Sequence, residues 1–196
     1  MTQARPFILF NEDSAKKSGG SDFLQEGGAY ICTIESAIYT KAGTGSHGIE
    51  FSIKTSEGLK ANYITAYYAK DNNEPINSGQ SLLNALMGFT GATGLSFSNA
   101  TLDGAQVSMV PELMGKTIGL FLQKKLYTKN DGGEGYKFVI RCPFDAKTRQ
   151  TFKEKLASKT AESIDRMASS YKDIDDRKDQ SSSAQNYDHG APYPDM

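Results

Sequence analysis

Residues 116–142 read KTIGLFLQKKLYTKNDGGEGYKFVIRC and carry the clearest secondary-structure signals in the chain. The run from Lys116 to Thr128 predicts a long strand, and the segment Asn130–Gly135 is a strong hairpin-turn signal. The return strand, Tyr136–Cys142, alternates apolar and basic residues, which is typical of a strand with one buried face. This part of the chain is therefore predicted to be a β-hairpin with a basic outer side.

Three more strands are predicted upstream of this hairpin, over residues 30–39, 49–54 and 59–69, separated by glycine-containing turns. Leucines at helical spacing predict a helix over residues 77–88, and the polar stretch 90–103 is predicted to be loop. The order of three strands, a helix and a final hairpin predicts a mainly β fold, an OB-like five-stranded barrel over residues 29–146. Another small β-barrel would give a similar order.

The segments on either side of this domain differ from it in composition. Residues 1–28 are rich in glycine, serine and charge and predict an N-terminal arm. Residues 147–170 predict one C-terminal helix with a thin apolar stripe. Residues 171–196 are polar, with 6 acidic and 3 basic residues, and predict a disordered acidic tail because they hold little apolar surface to bury.

Composition limits the function classes that need to be considered. The formal net charge is −1, but residues 116–141 carry 6 basic against 2 acidic residues. There is no apolar run of membrane-spanning length and no secretory signal, so we expect no membrane and a cytoplasmic location. The two Cys and two His residues lack metal-ligand spacing, and no catalytic motif is recognisable, so we expect no metal, no cofactor and no enzyme.

Aromatic and basic residues alternate along the predicted strands. Aromatic rings stack on unpaired bases, and lysine or arginine displaces the counterions of phosphates. The glycine-rich turn Gly43–Gly48 lacks a phosphate-loop motif and is interpreted as a hairpin loop within reach of a DNA backbone. The candidate residues for binding single-stranded DNA are Tyr39, Lys54, Lys60, Tyr63, Tyr67, Lys124, Lys125, Tyr127, Lys137 and Arg141.

The tail supplies a second group of candidate residues. Its acids can mimic phosphate and compete for a basic groove, and its tip can dock on partner proteins. The candidate partner-binding residues are Asp173, Asp175, Asp176, Tyr193, Pro194 and Asp195.

Three stretches resemble the single-stranded DNA-binding proteins of bacteriophage replication and recombination modules: residues 28–65, SGQSLLNALMGFTG at 78–91 and PELMGKTIGLFLQKKLY at 111–127. The resemblance covers roughly residues 25–145. It implies an OB fold, binding without strong sequence preference, no cofactor, and tail contacts to replication or recombination enzymes in the host cytoplasm. Functional relatives in bacteria end in Pro-Phe, whereas this chain ends in Pro-Tyr-Pro-Asp-Met.

The leading hypothesis is a phage-type protein that coats and protects single-stranded DNA during replication and recombination. An alternative is a phage adaptor or assembly protein whose β-domain binds protein instead of DNA, which the near-neutral body favours. A third reading is a strand-annealing protein. The sequence allows a homo-oligomer in each case.

Overall fold

The computed structural model describes residues 9–12, 21–102 and 104–177, and these form a mainly antiparallel β structure. Strands β1 to β3 make a meander, and helix α1 follows it. A short hairpin, β4–β5, precedes the long hairpin β6–β7. The bounds are β1 Gly28–Lys41, β2 His47–Thr55, β3 Lys60–Ala69, α1 Asn77–Thr90, β4 Ser98–Leu102, β5 Ala105–Met109, β6 Thr117–Thr128, β7 Glu134–Phe144, α2 Phe152–Leu156, α3 Ser163–Ser169 and β8 Ile174–Asp176.

Strand β1 organises the sheet because it pairs antiparallel with β2 along most of its length and with β6 through residues 28–33. Strand β6 in turn pairs with β7, and β3 pairs with β2. Strands β3 and β7 lie in contact, but no ladder of backbone hydrogen bonds joins them within the described residues. The sheet is therefore wrapped but not closed, so the OB-like five-stranded barrel that the sequence predicts is confirmed only as a mainly β, antiparallel fold.

The core lies inside the wrapped sheet and under α1. Ile34, Phe51 and Ile64 come from the first three strands, and Leu86 comes from α1; all four are almost completely buried. Full burial of side chains of this size contributes about 1.5–3 kcal/mol each to folding. Leu24 is buried with them, so the sheet domain includes residues that precede the predicted boundary at residue 29.

The region predicted as one helix over residues 147–170 contains two short helices, α2 and α3, instead of one. The Glu154 side chain accepts hydrogen bonds from the backbone N–H groups of Thr151, Glu162 and Ser163, at 2.8–3.0 Å. It therefore caps the start of α2 and holds the start of α3. These bonds hold the Glu154 pKa well below its ordinary value. Leu156, an apolar residue at the end of α2, is 75% exposed, so the predicted apolar stripe is not buried along its whole length.

The prediction of disorder from residue 171 differs from the structure over residues 171–177. The Tyr171 ring packs against Phe121, and its hydroxyl accepts a hydrogen bond from the backbone N–H of Lys124 at 3.2 Å. Strand β8 then pairs in parallel with residues 125–127 of β6. The remaining tail, residues 178–196, lies outside the described residues.

No helix among the described residues has both the length and the apolar character needed to cross a membrane.

Candidate nucleic-acid interface

The surface of the wrapped sheet that faces away from the core carries most of the predicted residues, and we call it the outer face. In β3, Ala61, Ile64 and Ala66 point into the core, so Tyr63 and Tyr67 point outward. Their side chains are 74% and 39% exposed. The structure thus presents two tyrosines to solvent from one strand.

Tyr63 owes its exposure to a β-bulge. The register pairs Phe51 with Ile64 and Ile53 with Ala61, which leaves one more residue on β3 than on β2. Tyr63 takes up the difference in the left-handed conformation, with φ of 60°. This conformation costs roughly 1–2 kcal/mol for a residue that has a Cβ. Strained residues of this kind concentrate at functional sites.

Tyr67 lies over a glycine of the neighbouring strand. Gly48 of β2 pairs with Tyr67, and a Cβ added at Gly48 would lie 2.8 Å from Tyr67 Cδ1. The absence of a side chain at Gly48 therefore lets the tyrosine ring lie close against the sheet, with its other side toward solvent. Sequence reasoning missed this role because it depends on the register between β2 and β3.

A groove of about 650 Å³ runs from Tyr67 across the open seam between β3 and β7 to Arg141. The loop between β1 and β2 borders it through Thr44 and Ser46, and the first turn of α1 borders it through Ser78. Arg141 is exposed and occupies a bulge in the pairing of β7 with β6. The groove therefore brings the glycine-rich loop, one outward tyrosine and one guanidinium together.

The hairpin β6–β7 extends this surface. Lys125 and Lys137 are directly opposite one another, and Lys137 Nζ lies 6.0 Å from the centre of the Tyr127 ring. Lys125 forms an ion pair with Asp176 of β8. At the other end of the outer face, Lys54 of β2 pairs in register with Lys60 of β3, and both are exposed.

The charge on the outer face is mostly positive. Four of its cations have no carboxylate partner among the described residues: Lys54, Lys60, Lys137 and Arg141. Glu50, which pairs with Thr65, is a carboxylate that lies among these cations, and burial raises the pKa of its carboxyl group. A polyanion placed beside it meets unpaired cations and a carboxylate that is easier to protonate than usual.

Two predicted residues lie away from the outer face. The Tyr39 hydroxyl is 2.7 Å from His47 Nδ1, and its ring meets Phe97 edge-on at 5.3 Å, at an end of the sheet covered by the loop before β4. The Lys124 side chain is only 16% exposed; its Nζ lies 3.4 Å from Glu26 Oε1 and 5.2 Å from the centre of the Tyr136 ring. Both residues have structural partners instead of open access.

The predicted tail residues divide between two regions. Asp173 accepts a hydrogen bond from the Tyr171 hydroxyl, Asp175 accepts one from Arg177 Nε at 2.8 Å, and Asp176 pairs with Lys125. Arg177 also reaches Glu134 at 3.0 Å, which attaches the end of β8 to the long hairpin. The predicted tip residues Tyr193, Pro194 and Asp195 lie outside the described residues.

The described residues contain no cluster of three or more His, Cys, Asp or Glu side chains that could hold a metal ion. The two cysteines are free thiols, and burial raises the pKa of Cys32 to about 12. Neither a scan against protein-family models nor a search of curated proteins finds a match to this chain. The geometry of the outer face is therefore the feature from which a function can be inferred.

Proposed function

We propose that this chain binds single-stranded DNA on the outer face, without strong sequence preference and without a cofactor or catalysis. The observation that carries the proposal is the pair of outward tyrosines on β3, one strained and one lying over glycine, beside a groove that ends at Arg141. Unpaired bases expose flat surfaces that such rings stack on, at about 1–3 kcal/mol per base. Duplex DNA keeps its bases stacked and offers only grooves and phosphates.

The strand arrangement supports an OB-like domain within this proposal. Strands β1, β2, β3, β7 and β6 follow one another around the wrapped sheet, and α1 lies between β3 and the later strands in sequence. This is the order expected of a five-stranded Greek-key barrel that is partly open. The open seam between β3 and β7 then lies inside the binding surface.

The chemistry assigned to the outer face has two parts. Tyr63 and Tyr67 stack on bases, while Arg141 and Lys137 neutralise phosphates as the strand crosses the seam. Lys54 and Lys60 extend the path along β2 and β3. Each neutralised phosphate releases counterions, so the affinity should fall steeply as the salt concentration rises.

The role of the tail in this proposal is recruitment and competition. Asp176 forms an ion pair with Lys125, so a strand of DNA that reaches that end of the hairpin has to displace this carboxylate. The tail beyond Arg177 is proposed to contact other proteins of phage replication or recombination. Coating of exposed strands during those processes is the biological role that this arrangement fits best.

The test is fluorescence anisotropy with a labelled oligo-dT of about 30 nucleotides, long enough for two or more OB-fold sites. Titrations at low and high salt, with unlabelled duplex as competitor, distinguish the possible ligands. We expect tight, salt-sensitive binding that duplex does not compete away. Absence of binding at low salt would reject the proposal.

The second candidate function is a protein adaptor, and the docking of β8 on β6 favours it. This contact demonstrates that the edge of β6 accepts a strand of polypeptide. Removal of residues 171–196 separates the two functions. A DNA-binding domain keeps or gains affinity when its acids are removed, whereas an adaptor binds no DNA in either form.

A further inference from the structure

The hairpin β4–β5 stands apart from the body of the domain. Its only register pair with the rest of the sheet joins Met109 to Ile38, and none of its described residues is buried. An isolated two-stranded hairpin is marginally stable in water and gains stability from additional strands or a packing partner. Within the described part of the chain, β5 therefore meets the sheet only at this end, and β4 pairs with β5 alone.

The two faces of this hairpin differ in character. Asn99 and Thr101 share one face with Gln106 and Ser108, and hydrogen bonds join them in pairs: Gln106 Nε2 donates to Thr101 Oγ1, and Ser108 Oγ donates to Asn99 Oδ1. The other face carries the apolar residues, which the core clusters do not include. These are Ala100, Leu102, Ala105, Val107 and Met109.

No other described strand pairs with the second edge of β4. Only two residues separate Leu102 from Ala105, so this pair exchanges both backbone hydrogen bonds and the pattern alternates from there. The backbone groups of Asn99 and Thr101 consequently point away from β5. Natural edge strands are usually protected by proline, lysine or a bulge, and the β4 sequence SNATL has none of these.

We propose that β4 pairs antiparallel with β4 of a second copy of this chain, around a two-fold axis at Ala100. Asn99 of each copy then lies opposite Thr101 of the other, and the outward backbone groups of both residues are satisfied. The product is a four-stranded sheet in the order β5, β4, β4, β5. The self-pairing involves no charged side chain on either strand, so no repulsion opposes it.

Ala100 provides a sharp test because it meets its own counterpart at the axis. In Ala100→Lys, two like charges face each other and weaken the dimer by about fivefold or more, and Ala100→Glu acts in the same way. A mixture of the two variants places opposite charges together and should restore the dimer. Thr101→Pro removes an outward N–H from each copy and should abolish association. Ala105→Lys, the same substitution at an exposed alanine on the outer strand β5, is the matched control and should leave the dimer intact.

The measurement is sedimentation velocity of the full chain without DNA, from low micromolar concentration upward, so it is independent of the proposed DNA binding. Circular dichroism establishes that each variant is folded. A wild-type dimer that both charge variants weaken and their mixture restores supports the proposal. A wild-type protein that stays monomeric overturns the proposal. In that case a strand of another protein is the remaining candidate partner for the edge of β4. A dimer that Ala100→Lys and Thr101→Pro leave unchanged also overturns it, because the interface then lies elsewhere.

Discussion

Substitution of Tyr63 separates the stability of the domain from its affinity for single-stranded DNA. The side chain is 74% exposed, so its removal sacrifices little buried surface, and its φ of 60° is a conformation that glycine adopts freely. Tyr63→Ala keeps the strain, whereas Tyr63→Gly relieves roughly 1–2 kcal/mol of it and loses about 0.5–1 kcal/mol through the greater freedom of the unfolded chain. We therefore expect Tyr63→Gly to be the more stable of the two, by between about 0 and 1.5 kcal/mol.

Both substitutions should weaken DNA binding equally. Loss of one stacking platform of about 1–3 kcal/mol raises the dissociation constant roughly 5- to 150-fold. Urea denaturation measures the stability and anisotropy with oligo-dT measures the affinity. Phe97→Ala is the control, because Phe97 is 56% exposed but lies beside Tyr39, away from the outer face. Unchanged affinity in both Tyr63 variants would show that the strained tyrosine does not stack on a base.

Three further predictions concern the same surface. Gly48→Ala should weaken oligo-dT binding several-fold, because the added methyl group displaces the Tyr67 ring. Gly43→Ala, whose added Cβ has nothing within 4 Å, should leave the affinity unchanged. Equal effects of the two substitutions would contradict a binding role for the Tyr67 ring packed over Gly48. Glu50→Gln should tighten binding at neutral pH. In the wild type, binding should tighten as the pH falls through the raised pKa of Glu50, because a carboxylate that repels phosphate becomes neutral. This pH dependence of the affinity should vanish in Glu50→Gln. A pH dependence that persists in the variant would come from another titratable group. Arg141→Gln should reduce the slope of log affinity against log salt by about 0.7, the value for one phosphate contact on a single strand, and an unchanged slope would remove Arg141 from the path.

The long strands were predictable from sequence because their alternation and turn residues are local signals. The predicted strands at 30–39, 49–54 and 59–69 agree with β1, β2 and β3 to within a few residues at each end. The final hairpin agrees equally well, since a turn rich in Asp, Asn and Gly separates two alternating runs. Pairing of β6 with β1, by contrast, depends on contacts distant in sequence and could not be derived from the pattern.

The errors in the prediction have identifiable causes. The stretch 90–103 was predicted to be loop, yet it contains β4; the signal present there was the two-residue Asp103-Gly104 connection between SNATL and AQVSM. The predicted helix end at residue 88 is wrong because α1 continues to Thr90, and Gly91 ends it in the left-handed conformation. Polar composition suggested disorder after residue 170, but Tyr171 and the free edge of β6 provide the contacts that order β8.

Only some of the side chains on the outer face could be identified from the sequence. Lys125 and Tyr127, two residues apart on β6, lie on one face as strand alternation predicts, but the candidate Lys124 points to the opposite side. The bulge at Tyr63 interrupts the alternation in β3, so no period-2 rule could determine which of its aromatic residues face outward. The groove could not be predicted, because it forms where β3 lies beside β7, and these strands are distant in sequence.

Ultraviolet cross-linking of oligo-dT to the full chain, with the modified residues identified by mass spectrometry, locates the bound strand on the protein surface. We expect cross-links at Tyr63 and Tyr67 on β3 and, across the seam, at Tyr127. We expect none at Phe97, an exposed aromatic residue away from the outer face. Cross-links that appear at Phe97 and are absent from Tyr63 and Tyr67 would contradict the claim that single-stranded DNA lies on the outer face.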